Sequence, residues 1–522
     1  MNLQFRKRMQ FAEHTHMKTN HNHTILIAAL IGGMSTTVFG AEPPRMKMTT
    51  DIPEAITTPD SVKTRIGTLR FFDGFPDDET TQKVYDNLDF MRGVEAFLQC
   101  MPGASAEAVR TGWASEGADN NQTLLIMENL MDSKSLFLTP NTESVYHMAW
   151  LDTSEGPLVI ETPPNVLGII DDHWFKYVGD FGNAGPDKGK GGKYLLLPPG
   201  YDEAVPEGYI VLRSRTYGNL MFYRGFLDNG STETSVENTR KFYKAYSLAD
   251  AKNPPPMKFI SVSGREFNTI HANDFHFYEE VNAIVQSEPN EASDPETLGL
   301  LAAIGIEKGK EFAPDARMKK ILVEAVAVAN ATARALTFRP RLEGVYYYPD
   351  RKWFTSFAGG SYEFLKQPGV RNPDGRVLFH YYATGITPAM AMKMVGVGSQ
   401  YGAATTDSKG RPLDGGKTYK IHLPPNIPAR NFWSLVVYDN QTRSMLQTDH
   451  QFPSIGSQKR GVVINADTSV DLWFGPTAPK GHESNWVQTV PGKGWNVLLR
   501  LYGPEQAWFD KTWKPGDFEL VK

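Results

Sequence analysis

The chain has 522 residues, 40% of them hydrophobic, with 10 Trp, 21 Tyr and 29 Phe, and its 54 basic and 59 acidic side chains give a formal net charge of −5. That size allows roughly two to four domains with sizeable cores, and that composition excludes a disordered chain or a small disulfide-stapled module. The absence of a basic excess excludes a general binder of nucleic acid or another polyanion.

In chain order, the first feature is an apolar run from Thr24 to Phe39, preceded by Arg6, Lys7, Arg8 and Lys18 and followed by small residues with Val38 and Gly40 before Ala41. The pattern predicts a Sec signal peptide over 1–40, cut near Gly40/Ala41, and hence a periplasmic or secreted protein. A start at Met17 gives a more compact leader than Met1. The uninterrupted apolar part is too short for a bilayer crossing, so no membrane span is expected. The single cysteine, Cys100, sits among apolar residues at helical spacing and reads as a buried, inert thiol, so stability rests on packing without disulfides.

A polar, Pro-rich arm follows over 41–82. An N-terminal domain is expected over 83–232, opening with helices over 84–101, 104–112 (capped by Ser105) and 121–131. From 144 to 215 the chain changes to short alternating runs split by Gly and Pro, which predicts strands over 144–152, 158–161, 174–178, 193–197 and 209–215. Helical spacing returns over 233–340. A C-terminal β-sandwich domain is expected over 341–522, with strands at 377–382, 417–423, 432–439, 462–465, 470–474, 486–490 and 496–502. The reading is a multidomain α+β protein, with jelly-roll-like antiparallel β-sandwich regions and a helical domain.

Several familiar signatures are missing from the sequence. It has no G-x-S-x-G, no H-E-x-x-H and no complete P-loop, and no two of the histidines beyond residue 40 are spaced i, i+4. No metal site is expected, and the residues name no cofactor.

The stretch from Thr139 to Trp150 is more informative. Strand alternation puts Ser144, Tyr146, Met148 and Trp150 on one face and Glu143, Val145 and His147 on the other, with Asn141 in the turn before them. A face of Tyr, Trp and small polar groups suits a ligand with both apolar and hydrogen-bonding surface, although such aromatics also build cores. Asp172 and His173 form a compact acid and imidazole pair, suited to proton transfer or to a solvated turn. The Gly-rich run from Gly182 to Lys193 reads as a long hairpin loop, with an anion cradle as the alternative.

Arg213 and Arg224 could hold an anion. In the C-terminal region Trp433 and Asp439 share one strand face and Ser434 and Tyr438 the other, while Leu498, Arg500 and Tyr502 share a face. Arg500 needs a partner there, and Asp439 or Asp471 is the expected one.

The run Pro140-Asn141-Thr142-Glu143-Ser144-Val145-Tyr146, with Trp150-Leu151-Asp152 and Gly156-Pro157, resembles the N-terminal half of a two-part bacterial family, domain of unknown function 1254. Phe432-Trp433-Ser434, Tyr438-Asp439, Asn485-Trp486 and Leu499-Arg500-Leu501-Tyr502-Gly503-Pro504 resemble its C-terminal half, domain of unknown function 1214. Glu143 and Ser144 stand where the family signature has Asp and Thr. The resemblance implies a β-sandwich plus helical architecture and implies no activity.

Two functions fit these residues. In the first, an exported enzyme, hydrolytic in type, acts on a small molecule in a cleft between the two β regions. Glu143 or Asp172 is its base, His173 its proton carrier, and Arg213, Arg224 and Arg500 hold negative charge beside Asn141, Tyr438, Asp439 and Asn485. In the second, a noncatalytic protein binds carbohydrate or cell-envelope material on Tyr146, Trp150, Trp433 and Trp486. Either way the expected partner is a small-molecule or carbohydrate ligand, and a homo-oligomer is compatible with the sequence.

Overall fold

The computed structural model describes residues 46–521, so the signal-peptide reading and the start of the arm lie outside the described residues. Two units separate. One comprises residues up to 60 with 71–75, and its described part holds a short 3-10 turn, Glu54–Ile56, with no buried side chain. The other, 61–70 with 76 onward, holds everything that follows.

After a hairpin that pairs Ser61 with Arg70, helix α1 (Asp78–Ser115) starts on Asp77, whose carboxylate accepts from Thr80 N at 2.7 Å. It runs unbroken through Pro102, where two helices were expected, and Ser105 lies inside it without capping anything. Gly103 permits this path, because a Cβ there would stand 2.6 Å from the Trp174 ring.

The strands of the first β region are β1 (Thr123–Ile126), β2 (Val145–Asp152), β3 (Leu158–Glu161), β4 (Val166–Asp172), β5 (Tyr177–Gly182), β6 (Lys193–Leu197), β7 (Ile210–Arg213) and β8 (Gly218–Gly225). Helix α2 (Glu233–Phe242) and strands β9 (Lys244–Ser247) and β10 (Lys258–Ser261) complete it. They form an outer sheet, β7-β6-β3-β9, and an inner sheet, β10-β1-β2-β8-β4-β5, mostly antiparallel. Their shared core includes Ile126, Ala149, Ile160, Phe181, Leu196 and Met221. The helix expected over 121–131 is replaced by β1, whose four side chains are all buried. An apolar run buried on both faces carries no helical or strand period to read.

Helices α3 (His276–Ser287), α4 (Pro295–Ala302), α5 (Ala316–Phe338) and α6 (Pro373–Tyr382) share a core with α1. By length and composition α5 could cross a membrane, with a mean hydropathy of 1.4. Here Leu322, Val326, Ala329 and Ala333 are buried in the helical core. The segment 377–382, expected as a strand for its Val and aromatic content, is the end of α6. Pro373 at its first turn and Asn372, which accepts from Gly375 N at 3.1 Å, start the helix and override β propensity.

The second β region contains β11 (Ser399–Ala404), β12 (Tyr419–Leu423), β13 (Ala429–Asp439), β14 (Ser454–Gly456), β15 (Val470–Gly475), β16 (Trp486–Gln488), β17 (Gly494–Pro504) and β18 (Glu519–Leu520). Its inner sheet runs β11-β17-β13-β14 and its outer sheet β16-β15-β12-β18. Trp433, Leu435, Leu499 and Leu501 pack between the two sheets. The strand expected over 462–465 does not form, and Val463 and Ile464 are exposed. The fold is α+β, with two β-sandwiches whose inner sheets contribute to one core. Tyr146, Met148 and Leu220 of the first sheet meet Tyr401, Tyr438 and Leu498 of the second in it.

Candidate functional site

The turn that enters β2 is built by its own side chains. Thr139 adopts φ +40°, and Asn141 Oδ1 accepts from Glu143 N at 3.0 Å, Ser144 N at 3.1 Å and Ser144 Oγ at 2.9 Å. The Asn141 backbone N–H donates to Tyr146 Oη at 2.8 Å. From the other β region, Tyr438 Oη donates to Pro140 O at 2.7 Å, and Arg500 Nη2 donates to Thr139 O and, at 2.9 Å, to Tyr438 Oη. The polar residues of this motif therefore join the two inner sheets at one edge of the space between them. Asn141→Ala removes three acceptor contacts in a buried turn, for an expected loss of about 2–3 kcal/mol, read as a lower urea midpoint at unchanged slope.

Beside this turn lies a chamber of about 70 Å³, and a second cavity of about 170 Å³ adjoins it, with Leu167, Arg224, Gly398 and Ser399 lining both. Register explains which side chains face inward. On the first sheet Arg224 lies opposite Tyr146 and Leu167, and Ile169 lies opposite Phe222 and Asp180. On the second, Arg500 lies opposite Tyr401 and Ser434, and Tyr502 opposite Ser399 and Phe432. Gly398, at φ +69°, lets the chain pass where a Cβ would lie 2.6 Å from Ala389 O. The remaining walls are mainly apolar, including Phe137, Phe222, Phe357, Phe379, Met390 and Leu498.

Two guanidinium groups reach this interior. Arg500 is 4% exposed, has the bonds given above, and lies over the Tyr401 ring at 5.3 Å. Arg224 is 9% exposed and makes no side-chain hydrogen bond or ion pair among the described residues; it lies over the Tyr502 ring at 5.8 Å. Buried charges are normally paired, so an unpaired one that lines a cavity marks a place for an anion. Ser399 Oγ, Thr384 Oγ1 and Tyr502 Oη, which line the same cavities, are also buried without partners.

Asp180 provides the carboxyl of the chamber. Its Oδ1 accepts from Thr387 Oγ1 at 2.7 Å. Burial pushes it up to about 6, against hydrogen bonds that favour the charged form. Next to it Asp171 accepts from Ile386 N at 2.8 Å, and burial pushes its carboxyl well above the ordinary value.

Of the residues singled out from sequence, Asn141, Tyr146, Arg224, Tyr438 and Arg500 gather at this chamber or its edge. Glu143 faces a neighbouring groove with Ser454 and Trp486. It accepts from Thr142 Oγ1 at 2.6 Å, and burial raises its pKa. The buried Asp172 carboxylate closes a turn, accepting from Trp174 N at 2.9 Å and Lys176 N at 2.8 Å, and pairs with Arg215. His173 lies between Glu288, at 2.7 Å from Nδ1, and Glu107, at 3.0 Å from Nε2, with Trp150 edge-on at 4.7 Å.

Arg213 is exposed and donates to Tyr201 O, and Trp433 belongs to the core of the second sandwich. Asp439 pairs with Lys493, and Asp471 with Lys420 and His422, so neither is the partner expected for Arg500. Asn485 ties Val463 to Asp471 O. In the Gly-rich loop, Asp187 accepts from Gly182 N, Gly191 N and Tyr194 Oη, so a carboxylate of the loop itself takes up these donors. Asp180, Tyr401 and Ser399 escaped sequence reading because the strand expected over 174–178 stops short of Asp180, where β5 runs on to Gly182, and because β11 was not assigned. The alternation of Val178, Asp180 and Gly182 is the signal that could have placed Asp180.

Residues 121–249 match the family model described as Protein of unknown function (DUF1254), and residues 398–506 the one described as Protein of unknown function (DUF1214). Arg224 and Asp180 belong to the first segment and Arg500 to the second, so both contribute to the chamber. Among solved structures, the chain is similar to the VPA0106 protein from Vibrio parahaemolyticus, at 16% identity and a TM-score of 0.49, over 83% of this chain and 100% of that one. It is also similar to an uncharacterized protein from Burkholderia cenocepacia, at 13% identity and a TM-score of 0.38, over 85% and 97%. No curated protein matches the sequence.

Proposed function

We propose, for a chain that carries a DUF1254 segment followed by a DUF1214 segment, that the chamber between the inner sheets takes a small organic anion. In this reading the protein is an exported enzyme acting on that molecule, with Asp180 as the acid–base group. The observation that carries the proposal is Arg224, a largely buried side chain that makes no hydrogen bond or ion pair among the described residues, on the wall of an apolar chamber. Arg500 adds positive charge, and the unpartnered hydroxyls offer further hydrogen bonds to a ligand.

The acid–base role passes from Asp172 and His173 to Asp180, because the former groups are engaged in turn closure and in a carboxylate clamp. A carboxyl near 6 can exchange protons at neutral pH. In a hydrolytic reaction the ionised form takes a proton from the attacking water. A noncatalytic carbohydrate or cell-envelope receptor draws less support, since Tyr146 and Trp150 are buried in the core between the inner sheets while Trp433 packs in the second sandwich and Trp486 lines another groove.

The test is hydrolysis of an aryl ester carboxylate such as 4-acetoxyphenylacetate, followed against pH. The expected rate rises through about pH 6 and then levels off, and Asp180→Asn abolishes it. A rate that is unchanged in Asp180→Asn, or flat through this range in the unmodified protein, counts against the assignment.

A further inference from the structure

The chamber has two chemically different ends, and their separation follows from sheet register. Arg224 lies opposite Leu167 on β4, and Asp180 lies opposite Ile169 on the same strand, two residues further along. Two strand spacings across and two residues along put their Cα atoms roughly 12 Å apart on one face. Leu167, Ile169 and Phe222 form the apolar floor between them. At the Asp180 end stand the Thr387 hydroxyl, bonded to Asp180 at 2.7 Å, and the unpartnered Thr384 hydroxyl.

From this we infer that the ligand is an elongated hydroxy acid: a carboxylate held by Arg224, an apolar ring or short chain over the floor, and a distal hydroxyl that donates to Asp180. The inference rests on the anion reading of the chamber and adds the second contact point. A single anionic head fits better than two, because the far end carries carboxyl groups. The hydroxyl needs an acceptor, which ionised Asp180 supplies above about pH 6. The floor offers no hydrogen bonds to a polar middle, so a polyol or sugar acid is disfavoured.

Calorimetric titration at pH 7.5 with 4-hydroxyphenylacetate, phenylacetate and 4-methylphenol separates the two claims. The expected order puts 4-hydroxyphenylacetate about tenfold tighter than either of the others, a difference of one hydrogen bond to a charged group. Asp180→Ala should bring the two acids to equal affinity, with Asp180→Asn as a second variant should the first fail to fold. Arg224→Met should weaken both acids about tenfold and leave 4-methylphenol unchanged. Equal binding of the two acids to the unmodified protein overturns the hydroxy-acid inference and leaves the anion site standing. Binding of 4-methylphenol as tight as that of the acids, with no response to Arg224→Met, overturns both, as does failure of all three to bind.

Discussion

Replacing His173 with alanine is expected to cost about 3–5 kcal/mol of folding stability, the usual penalty for removing one member of a buried charge cluster. The imidazole is 2% exposed and lies between Glu107 and Glu288. Burial alone would push its pKa down, but hydrogen bonds from both carboxylates outweigh burial and hold it above its ordinary value. Burial likewise pushes Glu107 up, and hydrogen bonds from Arg110 and His173 outweigh that and hold it low. Without the imidazole, two buried carboxylates would face one another.

The clamp joins α1, through Glu107, to the turn after β4 and to the residue that follows α3, so its loss should unfasten the helices from the first β region. The pH dependence follows from the direction of each shift. The contribution of His173 is complete below its unfolded value of 6.5 and is lost as pH rises through the raised folded value. The contribution of Glu107 is complete above its unfolded value of 4.5 and is lost as pH falls through the lowered folded value. The clamp is therefore most effective between these two pH values. Urea unfolding of the unmodified protein and of His173→Ala, followed from this range into alkaline pH, should show the gap narrowing as pH rises above 6.5. A gap that does not change with pH would mean that His173 contributes by packing alone.

Arg224→Met is expected to act in the opposite direction, making the empty protein more stable while weakening anion binding about tenfold. Arg224 bears the cost of burying a charge and, among the described residues, receives aromatic neighbours such as the Tyr502 ring but no hydrogen bond or ion pair in return. An unbranched apolar side chain of similar length keeps the packing and removes that cost, and comparable replacements gain about 1–4 kcal/mol. Arg500→Met is the contrasting case. It breaks bonds to Thr139 O and Tyr438 Oη and should lose about 2–3 kcal/mol. Thermal unfolding of the two variants without ligand should move in opposite directions. A loss of stability in Arg224→Met would show that the guanidinium is a structural group, and the proposed site would lose its main support.

Much of this arrangement could be read from strand alternation. The inward sets Tyr146, Met148 and Trp150, then Ser434 and Tyr438, and then Leu498, Arg500 and Tyr502 follow from period two alone, and they lie where that period places them. A cleft between the two β regions was expected from the polar groups within otherwise apolar strands. Partners across the fold were less accessible. Asp439 and Asp471 were reasonable partners for Arg500 by charge, but the register turns Asp439 to the opposite face and gives each acid a nearer lysine.

Asp172 and His173 are adjacent in sequence, yet one closes a turn while the other meets carboxylates 66 and 115 residues away. No local pattern encodes that. Segments buried on every side misled in the same way. Residues 123–126 and 377–382 are buried throughout, so the helical spacing read over 121–131 and the β propensity of 377–382 gave the wrong element, and only the Asn372-Pro373 start marked α6.

The most direct measurement of the central claim is a crystal structure of the protein with 4-bromobenzoate, read from the anomalous signal of the bromine. The account predicts one peak inside the chamber over Leu167, Ile169 and Phe222, with the carboxylate on Arg224 and the halogen toward Asp180, and a much weaker peak in Arg224→Met crystals soaked at a concentration that half-saturates the unmodified protein. An empty chamber at saturating ligand, or a peak of undiminished height in the variant at that lower concentration, would contradict it.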